Sequence, residues 1–67
     1  MNNYSIKWRK ITQVVAASNP VAAFILFVEP AKIPFKEVKQ MGKGAWIAVG
    51  VGHSADKAQQ LAFITKV

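Results

Sequence analysis

The stretch from Val14 to Val28 carries no charged residue and follows the basic segment Lys7, Arg9, Lys10, the order of a membrane anchor. Spanning hydrocarbon as a helix takes roughly 20 consecutive apolar residues. Here Ser18-Asn19-Pro20 interrupts the run at its centre, where proline ends a regular ladder. No small-x-small cleavage chemistry precedes Glu29 and Pro30. Membrane insertion and export are therefore the weaker readings, and the run is expected to fill a protein core.

That core belongs to one small domain, because 67 residues do not supply two. A domain of this size buries only about 60% of the surface its unfolded chain exposes. A second chain or a ligand is thus a reasonable source of further stability. The absence of cysteine removes disulfides, thiolate metal sites and thiol catalysis, and suits a reducing, cytoplasmic compartment.

Nine Lys or Arg stand against three Asp or Glu, a formal charge of +6. A positive field of this density draws phosphate polymers, anionic lipid or an acidic protein surface. Eight of the nine cations are lysines, point charges rather than the bidentate forks that read base edges, so sequence-specific readout is not expected.

Tyr4-Ser5-Ile6-Lys7-Trp8-Arg9 alternates apolar with polar, the period of a half-buried strand. Between Lys10 and Ser18, Ile11, Val14 and Val15 fit helical spacing with Trp8, yet their β-branching favours a strand, and both readings stay open. Ser18-Asn19-Pro20 predicts a reversal. Residues 21–29 place Phe24, Leu26 and Val28 on one alternating side and Ile25 and Phe27 on the other, which predicts a central strand. With little chain left to cover its second face, that strand is the expected seam of a homodimer or the seat of a partner.

From Phe35 to Met41, helical spacing groups Phe35, Val38 and Met41, with Pro34 as a first helical residue and Gly42 as a C-terminal cap. Helix is the expectation, with an extended segment as the alternative. Ala45 to Val51 alternates again as a strand. Ser54 as N-cap, Asp56 near the helix start and Lys66 near its end predict a helix over 55–66 with a buried stripe of Ala58, Leu61, Ala62 and Thr65. The expected class is α+β: a small antiparallel sheet of about three strands with a C-terminal helix on one face.

Groups able to carry catalysis are few: His53, three carboxylates, Tyr4 and some hydroxyls. His53 and Ser54 are adjacent before a helix, point apart, and have no carboxylate close in sequence to orient them. Neither enzyme activity nor a small-molecule substrate is expected. One histidine and scattered acids do not make a metal site, and no cofactor is expected. Gly42-Lys43-Gly44 and Gly50-Val51-Gly52 lack the frames of phosphate-cradling loops and read as turn glycines, although the amides at 54–56 would open a helix onto a phosphate.

Gly50-Val51-Gly52-His53-Ser54-Ala55-Asp56-Lys57-Ala58-Gln59-Gln60-Leu61-Ala62 resembles the end of a double-stranded-RNA-binding domain, where Gly-x-Gly-x-Ser-Lys-Lys-x-Ala-Lys leads into an Ala-rich helix. The resemblance covers about a fifth of the chain. It implies that Gly50, Gly52, Ser54, Ala58 and Ala62 shape a turn and a helix packing. Ala55, Asp56 and Gln59 stand where that family has phosphate-binding lysines. Its helix, three strands and helix would require 10–18 to be helical and 35–41 extended.

The remaining positive feature is Lys32, Lys36, Lys39 and Lys43: on a helix Lys36, Lys39 and Lys43 form one ridge, which Lys32 joins from the loop. Trp8 and Trp46 can stack bases beside it, although tryptophan at alternating strand positions is more often core. The expected function is non-catalytic binding of nucleic-acid backbone, RNA favoured. The candidate contacts are Lys7, Arg9, Lys10, Lys32, Lys36, Lys39, Lys43, His53 and Lys57. The alternative is docking on an acidic surface of a host protein to inhibit or regulate it, as small phage or mobile-element proteins do.

Overall fold

In the computed structural model, residues 1–52 and 61–67 are described. The order is β1 (Asn2–Trp8), β2 (Ile11–Ala17), α1 (Pro20–Val28), a 3-10 turn (Glu29–Ala31), β3 (Glu37–Gly42), β4 (Ala45–Val49) and β5 (Leu61–Lys66). The strands form one antiparallel sheet in the order β2-β1-β5-β4-β3. Two hairpins, β1–β2 and β3–β4, are therefore joined through β5, which pairs with both.

The alternation at Tyr4, Ile6 and Trp8 does what its period requires, burying all three on one side of β1. Registers carry that side across the sheet to Ala17, Ile64, Ala62, Trp46, Ala48 and Val38. α1 lies on this side, and Phe24, fully buried, is the keystone. Its ring stacks on Phe27 at 5.9 Å and meets Phe35 edge-on at 5.0 Å, the offset and T-shaped geometries that aromatic quadrupoles favour. Trp8 meets Phe27 edge-on at 6.5 Å, and Tyr4 meets Trp46 at 5.8 Å.

The sheet has five strands rather than about three, and the helix is not C-terminal. Residues 21–29 are helical up to Val28, so no strand there can be a dimer seam. Asn19 is an N-cap: its backbone is extended and its Oδ1 accepts the Ala22 N–H at 2.7 Å, while Pro20 takes the first helical turn. The same Ser-Asn-Pro signal serves a turn or a cap, and a helix apolar all round has no period to betray it.

Residues 37–42 form an edge strand where a helix was expected. Of the supposed helical stripe, Val38 faces the core, Phe35 packs on it from the preceding loop, and Met41 is exposed beside a register shift between Gln40 and Gly42. Residues 61–66 are likewise a strand, with Ala62 and Ile64 fully buried and Leu61 and Thr65 on the other side. The expected stripe of a 55–66 helix is thereby lost. Ala58 and the remainder of that expected helix lie outside the described residues. The undecided segment 10–18 becomes strand β2, where the resemblance to the RNA-binding domain asks for a helix, and β3 is extended as it asks.

No helix among the described residues is long and apolar enough to cross a membrane. Val14 to Val28 is divided between β2 and α1 at the Asn19 cap.

Candidate nucleic-acid interface

With α1 on one face, the registers define what the opposite face displays. Across the sheet one row reads Thr12, Lys7, Phe63, Ile47, Lys39, each paired with the next on a neighbouring strand. A second row reads Val14, Ser5, Thr65, Ala45, and β5, β4 and β3 add Leu61, Val49 and Glu37. Phe63 is 43% exposed, an aromatic ring on the sheet face that no described element covers; its neighbours are β1, which carries Lys7, and β4, beyond which β3 carries Lys39. Lys39 forms an ion pair with Glu37 two residues away on the same side, at 3.3 Å.

Strand direction sorts the remaining cations. β1 and β4 end at the same end of the sheet. There the two-residue turn Arg9-Lys10 joins β1 to β2, and the Lys36 backbone N–H donates to Val49 O at 2.9 Å. Lys32 lies beside this end, because Ile33 N–H reaches Val28 O and Gly52 N–H reaches Pro34 O. Lys7 and Lys39 share the row just inside it. Lys43, in the β3–β4 turn, and Lys66, whose N–H donates to Gly44 O, lie at the opposite end. Among the described residues, Lys7, Arg9, Lys10, Lys32, Lys36 and Lys39 thus gather toward one end, in company with Glu29 and Glu37.

The ridge of Lys36, Lys39 and Lys43 is undone. On an extended chain the first and last of these are roughly 20 Å apart. Lys7 and Lys39 instead share one row, with β5 and β4 between them, about 14 Å apart. His53 and Lys57 lie outside the described residues.

Arg9 is the most constrained cation. Its φ is +58, a left-handed conformation that costs a side-chain-bearing residue roughly 1–2 kcal/mol. Its guanidinium lies 4.8 Å from the centroid of the Trp8 ring. Trp8 itself is 8% exposed and Trp46 turns toward the core, so neither tryptophan is a stacking platform. The buried Trp8 Nε1 has no hydrogen-bond acceptor among the described residues. Gly52, at φ +99, passes the edge of that ring, where a Cβ would lie 3.4 Å from Trp8 Cζ2.

Phe63 is the residue that sequence reasoning missed. Its signal was present: between Ala62 and Ile64, period two puts it on the opposite side from both. Helical spacing over the same residues concealed it.

Among the described residues, no group of three or more His, Asp or Glu could hold a metal ion. No family model, curated protein or solved structure matches the chain.

Proposed function

We propose that this chain is a non-catalytic, basic binding protein of the cytoplasm that lays a single nucleic-acid strand, RNA by preference, across its uncovered sheet face. The observation that carries this reading is the row Lys7–Phe63–Ile47–Lys39. An exposed aromatic stacks on any base, for about 1–3 kcal/mol per base, while flanking ammonium groups take the phosphates. Arg9, Lys10, Lys32 and Lys36 extend the positive field past the end of the sheet.

Fluorescence anisotropy with labelled oligouridylate and its DNA counterpart tests this. Affinity is expected to fall between roughly 50 and 200 mM salt with a logarithmic slope of about −0.7 per phosphate neutralised. Undetectable binding to either strand at the lower salt sinks the reading.

A second reading is favoured by one observation. Leu61, Phe63, Ile47 and Val49 form an apolar centre edged by Lys7 and Lys39, the anatomy of a protein interface with a charged rim. The partner would be an acidic protein surface, whose activity this chain inhibits or regulates. A pull-down whose protein partner survives nuclease treatment selects this reading over the first.

A further inference from the structure

We propose that the bound strand has a fixed orientation, crossing the β-strands with its phosphates toward the Arg9–Lys10 turn and its bases directed toward Ser5 and Thr65. This orientation rests on the single-strand reading above and assigns two further residues to the same face. A single strand of nucleic acid is a lopsided ribbon, with anionic phosphates along one margin and neutral, hydrogen-bonding base edges along the other. The uncovered face is lopsided in the same way.

Its rows follow from the registers. Nearest the Arg9–Lys10 turn stand Leu61, Val49 and Glu37, and next to them Thr12, Lys7, Phe63, Ile47 and Lys39. Farther away come Val14, Ser5, Thr65 and Ala45, and then Ala16 and Asn3. The charges that the described strands place on this face are Lys7, Lys39 and Glu37, all in the two rows nearest the turn, and Glu37 is neutralised by Lys39 at 3.3 Å. The farther rows carry none. Lys66 is the direct partner of Tyr4 and so stands on the helix side of β5. Among the described residues, Lys43 in the β3–β4 turn is left at the far margin, against Lys7, Arg9, Lys10 and Lys36 at the near one. The phosphate margin of the ribbon is therefore drawn to the Arg9–Lys10 turn.

Phe63 sets where a base stacks. Ser5 and Thr65 are direct partners across β1 and β5 in the row that follows Lys7 and Phe63, about 7 Å along the strands. Thr65 is exposed and Ser5 half-buried, and among the described residues neither hydroxyl has a hydrogen-bond partner. With the phosphates at the turn, sugar and then base follow in the direction of this row, and the outer edge of the base on Phe63 arrives over the hydroxyl pair. A hydroxyl both donates and accepts, so the pair can give a hydrogen to uracil O4 and receive one from its N3–H. Every base offers donors or acceptors on that edge, so the pair recognises an open edge and not one particular base. The reverse orientation sets phosphates over uncharged Val14, Ala16 and Ala45.

Fluorescence anisotropy compares oligouridylate with the same oligomer methylated at N3, which blocks the outer edge and leaves the phosphates intact. The native chain is expected to bind the methylated strand about 2- to 10-fold more weakly, the range of one hydrogen bond. Ser5→Ala combined with Thr65→Val, which keeps the β-branched shape, is expected to bind the two strands alike, with urea unfolding confirming that the variant is folded. A second readout uses the native chain alone. Oligouridylate carrying one thiouridine, whose sulfur replaces O4 on the outer edge, is irradiated in the complex and the linked residue is mapped. Linkage is expected at Ser5, Thr65 or their immediate neighbours.

Linkage confined to Arg9, Lys10 or Lys36, or equal affinity of the native chain for the two strands, overturns the orientation. Salt-dependent binding without edge discrimination defeats the orientation alone. A native chain that binds neither strand at low salt defeats the single-strand reading, and the orientation with it.

Discussion

Lys7 and Phe63 are direct cross-strand partners on the uncovered face of the sheet, one from β1 and the other from β5. They are 56 positions apart in the chain (63 less 7), and only the insertion of β5 between the two hairpins makes them neighbours. Phe63→Ala is expected to weaken binding of oligouridylate by about 1–3 kcal/mol, roughly 5- to 150-fold, with Phe63→Tyr close to native. Anisotropy at fixed salt measures this. An unchanged affinity for the alanine variant removes stacking from the mechanism.

The ion pair between Lys39 and Glu37 holds one of the two flanking ammonium groups at home. Both side chains are largely solvated, so the pair contributes at most about 1 kcal/mol to stability. Glu37→Gln is expected to leave the melting temperature nearly unchanged and to raise nucleic-acid affinity at low salt. Lys39→Gln should reduce the magnitude of the salt slope by about 0.7. A titration series at several salt concentrations reads both effects.

Arg9 occupies a turn position at φ +58 where glycine is at ease. Arg9→Gly relieves about 1–2 kcal/mol of backbone strain and forfeits the Trp8 ring contact, about 0.5–1 kcal/mol. Nucleic-acid binding is expected to weaken and its salt slope to shrink, read by anisotropy beside urea unfolding of the same variant. Loss of stability without loss of binding would make Arg9 a purely structural residue.

Of the four glycines, Gly50 is the one where an added Cβ would come closest to a neighbour. A Cβ there would lie 2.9 Å from Lys36 Cβ, and φ is +71. Gly50→Ala therefore combines left-handed strain with a collision, each on the order of 1–3 kcal/mol. A small domain has little margin for this loss. Thermal unfolding is expected to fall sharply or vanish. Lys36→Gly on that background should recover only the collision component.

The cap of α1 gives a milder test. Asn19→Ala removes the 2.7 Å bond to the Ala22 N–H and is expected to cost about 1 kcal/mol, whereas Asn19→Asp keeps it. Phe24→Ala, at the centre of the aromatic cluster, should cost about 3–5 kcal/mol. Chemical denaturation separates the two.

β1 and β4 were legible because each has a clean period of two, set by one covered and one uncovered face. α1 was misread for the opposite reason: Val21 to Val28 is apolar in every direction, so neither a 3.6 nor a 2.0 period stands out. At 35–41, three apolar residues happen to fall at helical spacing, yet Phe35 belongs to a loop and Met41 to a bulge. The charges at Glu37 and Lys39, taken as the polar side of a helix, are the guard of an edge strand. Residues 61–66 alternate correctly but sit among alanines that suggest a helix, and their partners on β1 lie far away in sequence. The basic character of the surface was legible from composition. Its gathering toward one end was not, because that depends on which strands run parallel in space.

The placement of β5 has one further consequence. It is the last of the five strands along the chain and occupies the middle of the sheet, so before it docks the molecule is only two separate β-hairpins with a helix between them. Neither hairpin is stable alone in water, and closing the long loop to β1 is entropically slow. Folding should therefore be all-or-none with a late rate-limiting step. Damage to 61–66 will abolish the whole sheet at once instead of fraying an end.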